Sequence, residues 1–494
     1  MAARRSSRFR LRPQAPSSVA AITPAGMPIT HKTKISASIF PRILQFERRP
    51  YIPFMGRQRP NLSQLVLGRA SLQKHLTGQG SLSSSVEQRA SRRTRRSCEQ
   101  CRMCSLGRDT EMSAFASILN DALPAPTLGG DLSGLDIAIV HDYLNQRGGA
   151  ERVVLELSDM WPDAPIFTSL YRPNSTLPGF EGRDIRTSWL DRLPVDGGFR
   201  NLFPLYPGAF RSLGEIDADV VLASSSGWAH IARSSPRALH VVYCYTPARW
   251  LYGETYLDKG GKRSARQGLA RPALGMLRRI DRNAADRADL YIAISENVKR
   301  RIRAAYGIEA AVVPPPVNVD RFHPTPRGDR LLSVSRLLPY KHVDLVVRAA
   351  TRSGVGLDVV GEGPMLSHLR DIAGPTVTLH GGASDEVVVE LMQSCSAVCV
   401  AAEEDFGLVA VEAQAAGKPV IAYGRGGSLE TIEKNVTGVF FDELTEDHVL
   451  AAVEASEHLG TSPERIATYA ERFSREAFRA RLTRTIGDAL ACER

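Results

Sequence analysis

Short apolar runs alternate with amphipathic stretches from Leu135 onward, and after a proline-rich break the same pattern starts again. The runs "LDIAIVHDY" (135–143), "DVVLASSS" (219–226), "LHVVYCY" (239–245) and "DLYIAIS" (289–295) read as strands, and "GAERVVLELSDMW" (149–161) has helical spacing. Past "VPPPVNVDRFHP" (313–324) come the strand candidates "RLLSVSRL" (330–337), "GLDVVGEG" (356–363), "TVTLHGG" (376–382), "AVCVAAEE" (397–404) and "PVIAYG" (419–424). Helix candidates there are "HVDLVVRAAT" (342–351), "DEVVVELMQSC" (385–395), "LVAVEAQAAG" (408–417) and "EDHVLAAVEAS" (446–456). Such alternation marks repeated β-α units around a parallel sheet. Two of these units meeting at a hinge make a cleft, and α/β sheets bind ligands in the crevice at their C-terminal strand ends.

A length of 494 residues fits two domains plus extra segments, because a single core stops growing near ~250–300 residues. The hydrophobic share of 43% and charged share of 23% are those of a globular protein. No apolar stretch reaches the ~18–20 residues of a membrane-spanning helix. The net charge of +10 suggests nucleic acid until its location is considered. Residues 1–111 carry 21 Lys and Arg against 5 Asp and Glu, which leaves residues 112–494 with 42 against 48. The part with folding patterns is therefore mildly acidic, and nucleic-acid binding would rest wholly on the basic start.

That start is rich in Arg, Ser, Pro and Gln and lacks a sustained period, which reads as disorder. Its "SRRTRRSCEQCRMC" (91–104) reads as a solvated basic tail, with contact to anionic phosphate or lipid as the alternative. Cys98, Cys101 and Cys104 lack a nearby fourth ligand for a metal or iron–sulfur site. Cys244, Cys395, Cys399 and Cys492 read as reduced residues of an intracellular protein. Arg48-Arg49 is followed by no clean apolar region, so no secretion signal is expected. Translation from Met112 would make the basic segment an artefact of the chosen start.

The strongest motif is "AEEDFGLVAVEAQAAGKPVIA" (402–422). A strand ends near Ala402, a loop carries Glu404 and Phe406, and Gly407 opens a helix containing Glu412. The unpaired N–H groups around Gly407, Leu408 and Val409 are a natural seat for anionic oxygen. By themselves, two acids at this turn could equally serve only the helix dipole.

Glu404 and Glu412 with seven residues between them, "FGL" among these, "GKPVIA" following and "GRGGSLETI" (424–432) behind, resemble the E-x7-E signature of glycosyltransferase family 4. The resemblance covers about residues 135–475. It implies an α/β protein of GT-B architecture, with two Rossmann-like domains facing across a cleft. The domains are then an N-terminal acceptor-side domain over 135–313 and a C-terminal nucleotide-sugar domain over 314–475. A basic, disordered extension (1–134) would precede them and a C-terminal helix (476–494) would follow.

Family roles carry over residue by residue. In "SVSRLLPYKHVDLVV" (333–347), Arg336 and Lys341 would grip the donor diphosphate, where two cations stabilise the charge of the leaving group. Glu404 would face the donor sugar and Glu412 the ribose. In "VVGEGP" (359–364), Glu362 would lie beside base and ribose. In "NQRGGAERVV" (145–154), Gly148 and Gly149 would let backbone approach the diphosphate, although paired glycines before a helix are usually just a turn. "ISENVKRRIRAAYGIEAAVVPPPVNVDRF" (294–322) matches the last N-domain unit and the hinge, with Ser295 as a helix cap.

"VVYCYTPARWLYG" (241–253) departs from the pattern, because Tyr245 stands where many relatives have the His of a His-Thr-Pro tripeptide, with Thr246, Pro247 and Arg249 following. Tyr245 would reach the sugar through its hydroxyl or simply pack. His141 and Asp142, at the end of the first strand, lie where an acceptor should enter, and Arg249 is placed on the same side. No Asp-x-Asp cluster is present, so no metal is expected.

The implied activity is retaining transfer of a hexosyl unit from a nucleotide sugar. "HDYL", "GGAERVV" and "TPARWLYGETY" resemble mannosyltransferases of polysaccharide assembly, making GDP-mannose the first donor expected and a UDP-hexose the second. The acceptor would be a glycan, a lipid-linked molecule or a small molecule. The location would be cytoplasmic, with peripheral contact at the inner face of the membrane. A nucleotide-sugar-binding protein impaired in turnover at Tyr245, or a phosphorylase or epimerase on the same fold, is the alternative.

Overall fold

The computed structural model describes residue 132 and residues 134–193, 199–252 and 265–493. The expectations for the basic extension, its cysteine triplet, Arg48-Arg49 and Met112 lie outside the described residues.

The N-terminal half carries β1 (Ile137–His141), β2 (Ile166–Thr168), β3 (Ile185–Thr187), β4 (Glu215–Ile216), β5 (Val220–Ser225), β6 (Arg233–Ser234), β7 (Leu239–Cys244), β8 (Leu290–Ala293) and β9 (Ala311–Val312). Seven of these form a parallel sheet in the order β3-β2-β1-β5-β7-β8-β9, while β4 and β6 pair separately. The C-terminal half carries β10 (Leu331–Val334), β11 (Leu357–Val360), β12 (Val377–Gly381), β13 (Ala397–Val400), β14 (Val420–Tyr423) and β15 (Gly438–Phe441). They form a second parallel sheet, ordered β12-β11-β10-β13-β14-β15. The molecule is thus two parallel-sheet α/β domains in the GT-B arrangement.

These strands form where the apolar runs lie, because a parallel sheet covered by helices on both faces buries every position of its inner strands. β1, β5 and β7 are buried throughout. In each half the chain first moves outward on one side and then returns to build the other side. The order reverses between β1 and β5 and again between β10 and β13. These are the two switch points, where loops diverge and leave a crevice.

Two segments pass between the halves side by side, with the Val317 N–H donating to the Phe473 carbonyl at 2.9 Å. Lys418, fully buried, directs its ammonium onto the carbonyls of Thr325 (3.1 Å) and Pro326 (2.5 Å), tying the first segment to the C-terminal half. The closing helix Arg475–Glu493 packs back on the N-terminal half. There Phe478 stands edge-on to Tyr243 at 5.8 Å, and Arg475 and Arg479 both bind the buried Glu156 carboxylate. No helix among the described residues is long and apolar enough to cross a membrane.

Candidate functional site

The loop from β13 to helix Leu408–Ala415 runs over Ala401–Gly407. Gly407 caps this helix at φ +100°, in the left-handed region that favours glycine. The loop after β14 is laid against it. Glu404 forms a parallel bridge with Gly426, and the Gly427 N–H donates to the Glu404 carbonyl at 2.7 Å. A Cβ on Gly426 would fall 2.4 Å from that carbonyl oxygen, and one on Gly427 would fall 2.5 Å from the Phe406 Cα. The glycines of "GRGGSLETI" are therefore what allows two neighbouring loops to zip together under Glu404.

Across the same switch point, the loop after β10 brings Lys341 to Glu404. The ammonium lies 2.6 and 2.7 Å from the two carboxylate oxygens, with side chains only 14% and 21% exposed. The Pro339–Lys341 turn ends at His342, a non-glycine residue at φ +50°, before helix Val343–Ser353 begins. Arg336 is exposed; its carbonyl accepts from Ser335 Oγ at 3.3 Å and from the Leu338 N–H at 2.8 Å, while its guanidinium pairs with none of the described residues. Its loop is fixed by the Gly361–Gly363 turn, since a Cβ at Gly361 would meet the Ser335 carbonyl at 1.8 Å. Glu362 is exposed and lies against Gly382. Glu412 sits inside its helix, where burial raises its carboxyl above the ordinary value while Arg152 and Arg321 pull the other way.

The glycine loop of the N-terminal half meets the helix start of the C-terminal half, because a Cβ on Gly149 would lie 2.6 Å from Leu408 Cδ1. Val409 follows Leu408 in the same first turn, part-buried. At Gly148 a Cβ would lie 2.5 Å from Glu151 Oε2. Three residues named for the sugar or acceptor side make contacts within the protein, and for Tyr245 that is the packing alternative. The Tyr245 hydroxyl pairs with Ser224 Oγ at 2.9 Å and the Ala150 carbonyl at 3.2 Å, and burial pushes its pKa well up. Asp142 is 2% exposed, and its carboxylate accepts the N–H groups of Ser226 (2.6 Å), Trp228 (2.7 Å) and Ala229 (2.7 Å). It thereby organises the loop after β5. Arg249 turns to Asp405, 2.5 Å away. His141 directs Nδ1 onto Ser224.

Asp405 and Arg301 were not singled out in the sequence. Asp405 stands inside the strongest motif, yet nothing in one chain marks it from Glu403, and Arg301 is one of several cations in "NVKRRIR". Ser295 caps helix Glu296–Tyr306 by accepting the Val298 N–H at 3.1 Å, as expected.

Chemically, the arrangement sets an acid–cation pair, a helix start and a glycine loop around the two switch points, a geometry suited to an anionic ligand. Residues 147–321 match a family model described as Glycosyltransferase Family 4, and residues 321–473 match one described as Glycosyl transferases group 1. A GDP-mannose-dependent alpha-(1-6)-phosphatidylinositol monomannoside mannosyltransferase of Mycobacterium tuberculosis is 33% identical over 213 residues, 36% of this chain and 55% of that protein. A D-inositol 3-phosphate glycosyltransferase of Mycobacterium leprae is 30% identical over 248 residues, 43% of this chain and 58% of that protein. The chain thus spans little more than half the length of the curated relatives it matches. Among solved structures, Anabaena Alr3699/HepE in complex with UDP and glucose superposes with a TM-score of 0.54 at 20% identity, over 71% of this chain and 99% of that one. Sucrose-phosphate synthase from Thermosynechococcus elongatus also gives 0.54, at 16% identity over 72% and 99%.

Proposed function

The chain belongs to glycosyltransferase family 4, and from that premise we propose that it transfers a hexosyl unit, with retention, from a nucleotide-diphosphate sugar to an acceptor hydroxyl. The observation that carries this reading is the Lys341–Glu404 pair, 63 residues apart in sequence and 2.6 Å apart in space. Lys341 and Arg336 take the diphosphate, Glu404 the donor sugar and Glu412 the ribose, while Gly148 and Gly149 let backbone approach the phosphates. As the bond from the anomeric carbon to phosphate breaks, its electron pair leaves with the nucleoside diphosphate, whose negative charge the two cations offset. The acceptor oxygen bonds to the same face of that carbon, and its proton passes to a phosphate oxygen of the leaving group. No metal is assigned a part.

GDP-mannose is the first donor, supported by the curated relative whose name carries it, and a UDP-hexose is the second. A lipid-linked acceptor is supported by the phosphatidylinositol monomannoside in one relative's name and a small-molecule acceptor by the D-inositol 3-phosphate in the other's, with a glycan as the remaining alternative; a lipid-linked acceptor would bring the protein to the cytoplasmic face of a membrane. Incubating the purified chain with a panel of nucleotide sugars and measuring released nucleotide tests the proposal. Release from one donor supports it, and release from none despite tight nucleotide-sugar binding supports a second reading. That reading, a nucleotide-sugar binder impaired in turnover, is favoured by the inward-turned hydroxyl of Tyr245.

A further inference from the structure

Glu403, Glu404 and Asp405 follow one another in the C-terminal half, and the N-terminal half reaches all three. Each oxygen of the Asp405 carboxylate has its own guanidinium, Arg249 Nη2 at 2.5 Å and Arg301 Nη1 at 2.5 Å. Arg301 also reaches Glu403 at 2.9 Å. The backbone is held as well. Ser295 Oγ donates to the Asp405 carbonyl at 2.6 Å and Asn297 Nδ2 to the Glu404 carbonyl at 3.4 Å. In return, Glu430 accepts the backbone N–H groups of Glu296 and Asn297, both at 2.8 Å, at the start of the helix that carries Arg301.

Exposed ion pairs contribute little to stability, so the pairing alone would mean little. This one is different in kind. The Asp405 side chain is 19% exposed, two planar forks share it, and the adjoining carbonyls are fixed by the same half. We infer that Asp405 is a positioning residue: gripped by Arg249 and Arg301, it sets the Glu404 carboxylate in register with the acceptor-bearing half. The inference rests on the donor-site reading proposed above. Apart from the backbone approach at Gly148 and Gly149, the nucleotide contacts assigned there belong to the C-terminal half. Nucleotide binding therefore does not need the grip, whereas transfer does.

The test measures two quantities on the full chain: calorimetric Kd for GDP and for UDP, and kcat for nucleotide release from the donor that the wild type turns over. In Asp405→Asn, kcat should fall about 10-fold while the nucleotide Kd stays within about two-fold. Arg301→Lys keeps the charge but loses the fork, and should fall in between. Wild-type kcat in a folded Asp405→Asn overturns the inference. So does a loss of kcat matched by an equal loss of nucleotide affinity or of folded protein in thermal melts, because a merely structural role predicts that. If the wild-type chain binds neither GDP nor UDP, the donor-site reading falls and this inference falls with it.

Discussion

Lys341 and Glu404 neutralise each other at 2.6 Å, so a diphosphate that claims the ammonium must displace the carboxylate. Glu404→Gln should then bind bare GDP or UDP several-fold more tightly while turning over donor more slowly, since the competing charge is gone but the sugar contact is weakened. Calorimetry on wild type, Glu404→Gln and Lys341→Met checks this. An unchanged affinity in Glu404→Gln would show that Lys341 is not the phosphate ligand. Glu404 and Glu412 should also differ from each other. A contact near the reacting carbon can tighten as positive charge develops, so Glu404→Ala should lower kcat by roughly 10²-fold, as for the loss of a contact worth ~3 kcal/mol. A ribose contact acts equally before and during bond breaking, so Glu412→Ala should chiefly raise the donor KM. Steady-state kinetics of both variants, after thermal melts confirm folding, separate the two roles.

Among the elements, the loops after β13 and β14 depend on each other through glycines. A Cβ on Gly427 would press on the backbone at Phe406 at 2.5 Å, so Gly427→Ala must shift the turn that carries Glu404 and Gly407. A loss of about 1–3 kcal/mol in unfolding free energy and most of the turnover is expected. Gly460→Ala is the control, because a Cβ there meets nothing within 4 Å. Equal melts for the two variants would discard the argument. At this scale much of the fold was legible in the sequence. The long apolar runs that became β1, β5, β7 and β13 declare themselves because both faces are buried. The three-residue strands β2 and β3 were missed, being too short to show a period and recognisable only from the sheet edge they extend. In the site, the pairing of Lys341 with Glu404 was anticipated only as a shared ligand. Asp142, Tyr245 and Arg249 look reactive in a linear reading, yet each is paired with partners from distant segments: Ser226 to Ala229, Ser224 with Ala150, and Asp405. Partnering of that kind is a property of the assembled loops and has no local signal.

For the molecule as a whole, acid should be more damaging than its ordinary carboxylates alone would make it, because β7 buries an imidazole. His240 is 2% exposed, and burial, with His230 and Arg287 adding to it, lowers its pKa from 6.5 to about 3. The sign follows from proton counting. Between pH 6.5 and about 3 the unfolded chain holds a proton on this residue that the folded chain does not, so stability is full above 6.5 and drains away as the pH falls. From neutral pH to pH 5 this one residue should remove about 2 kcal/mol, at 1.36 kcal/mol per pH unit of difference. The sheet that supports the N-terminal side of the cleft would be the part that yields. Urea unfolding at a series of pH values, on wild type and on His240→Leu, isolates the effect from the other titrating groups. The variant's absolute stability will differ through packing, but its dependence on pH should be shallower by that amount. If the two curves run parallel between pH 7 and 5, His240 is protonated in the folded protein and the account of a neutral core imidazole is wrong.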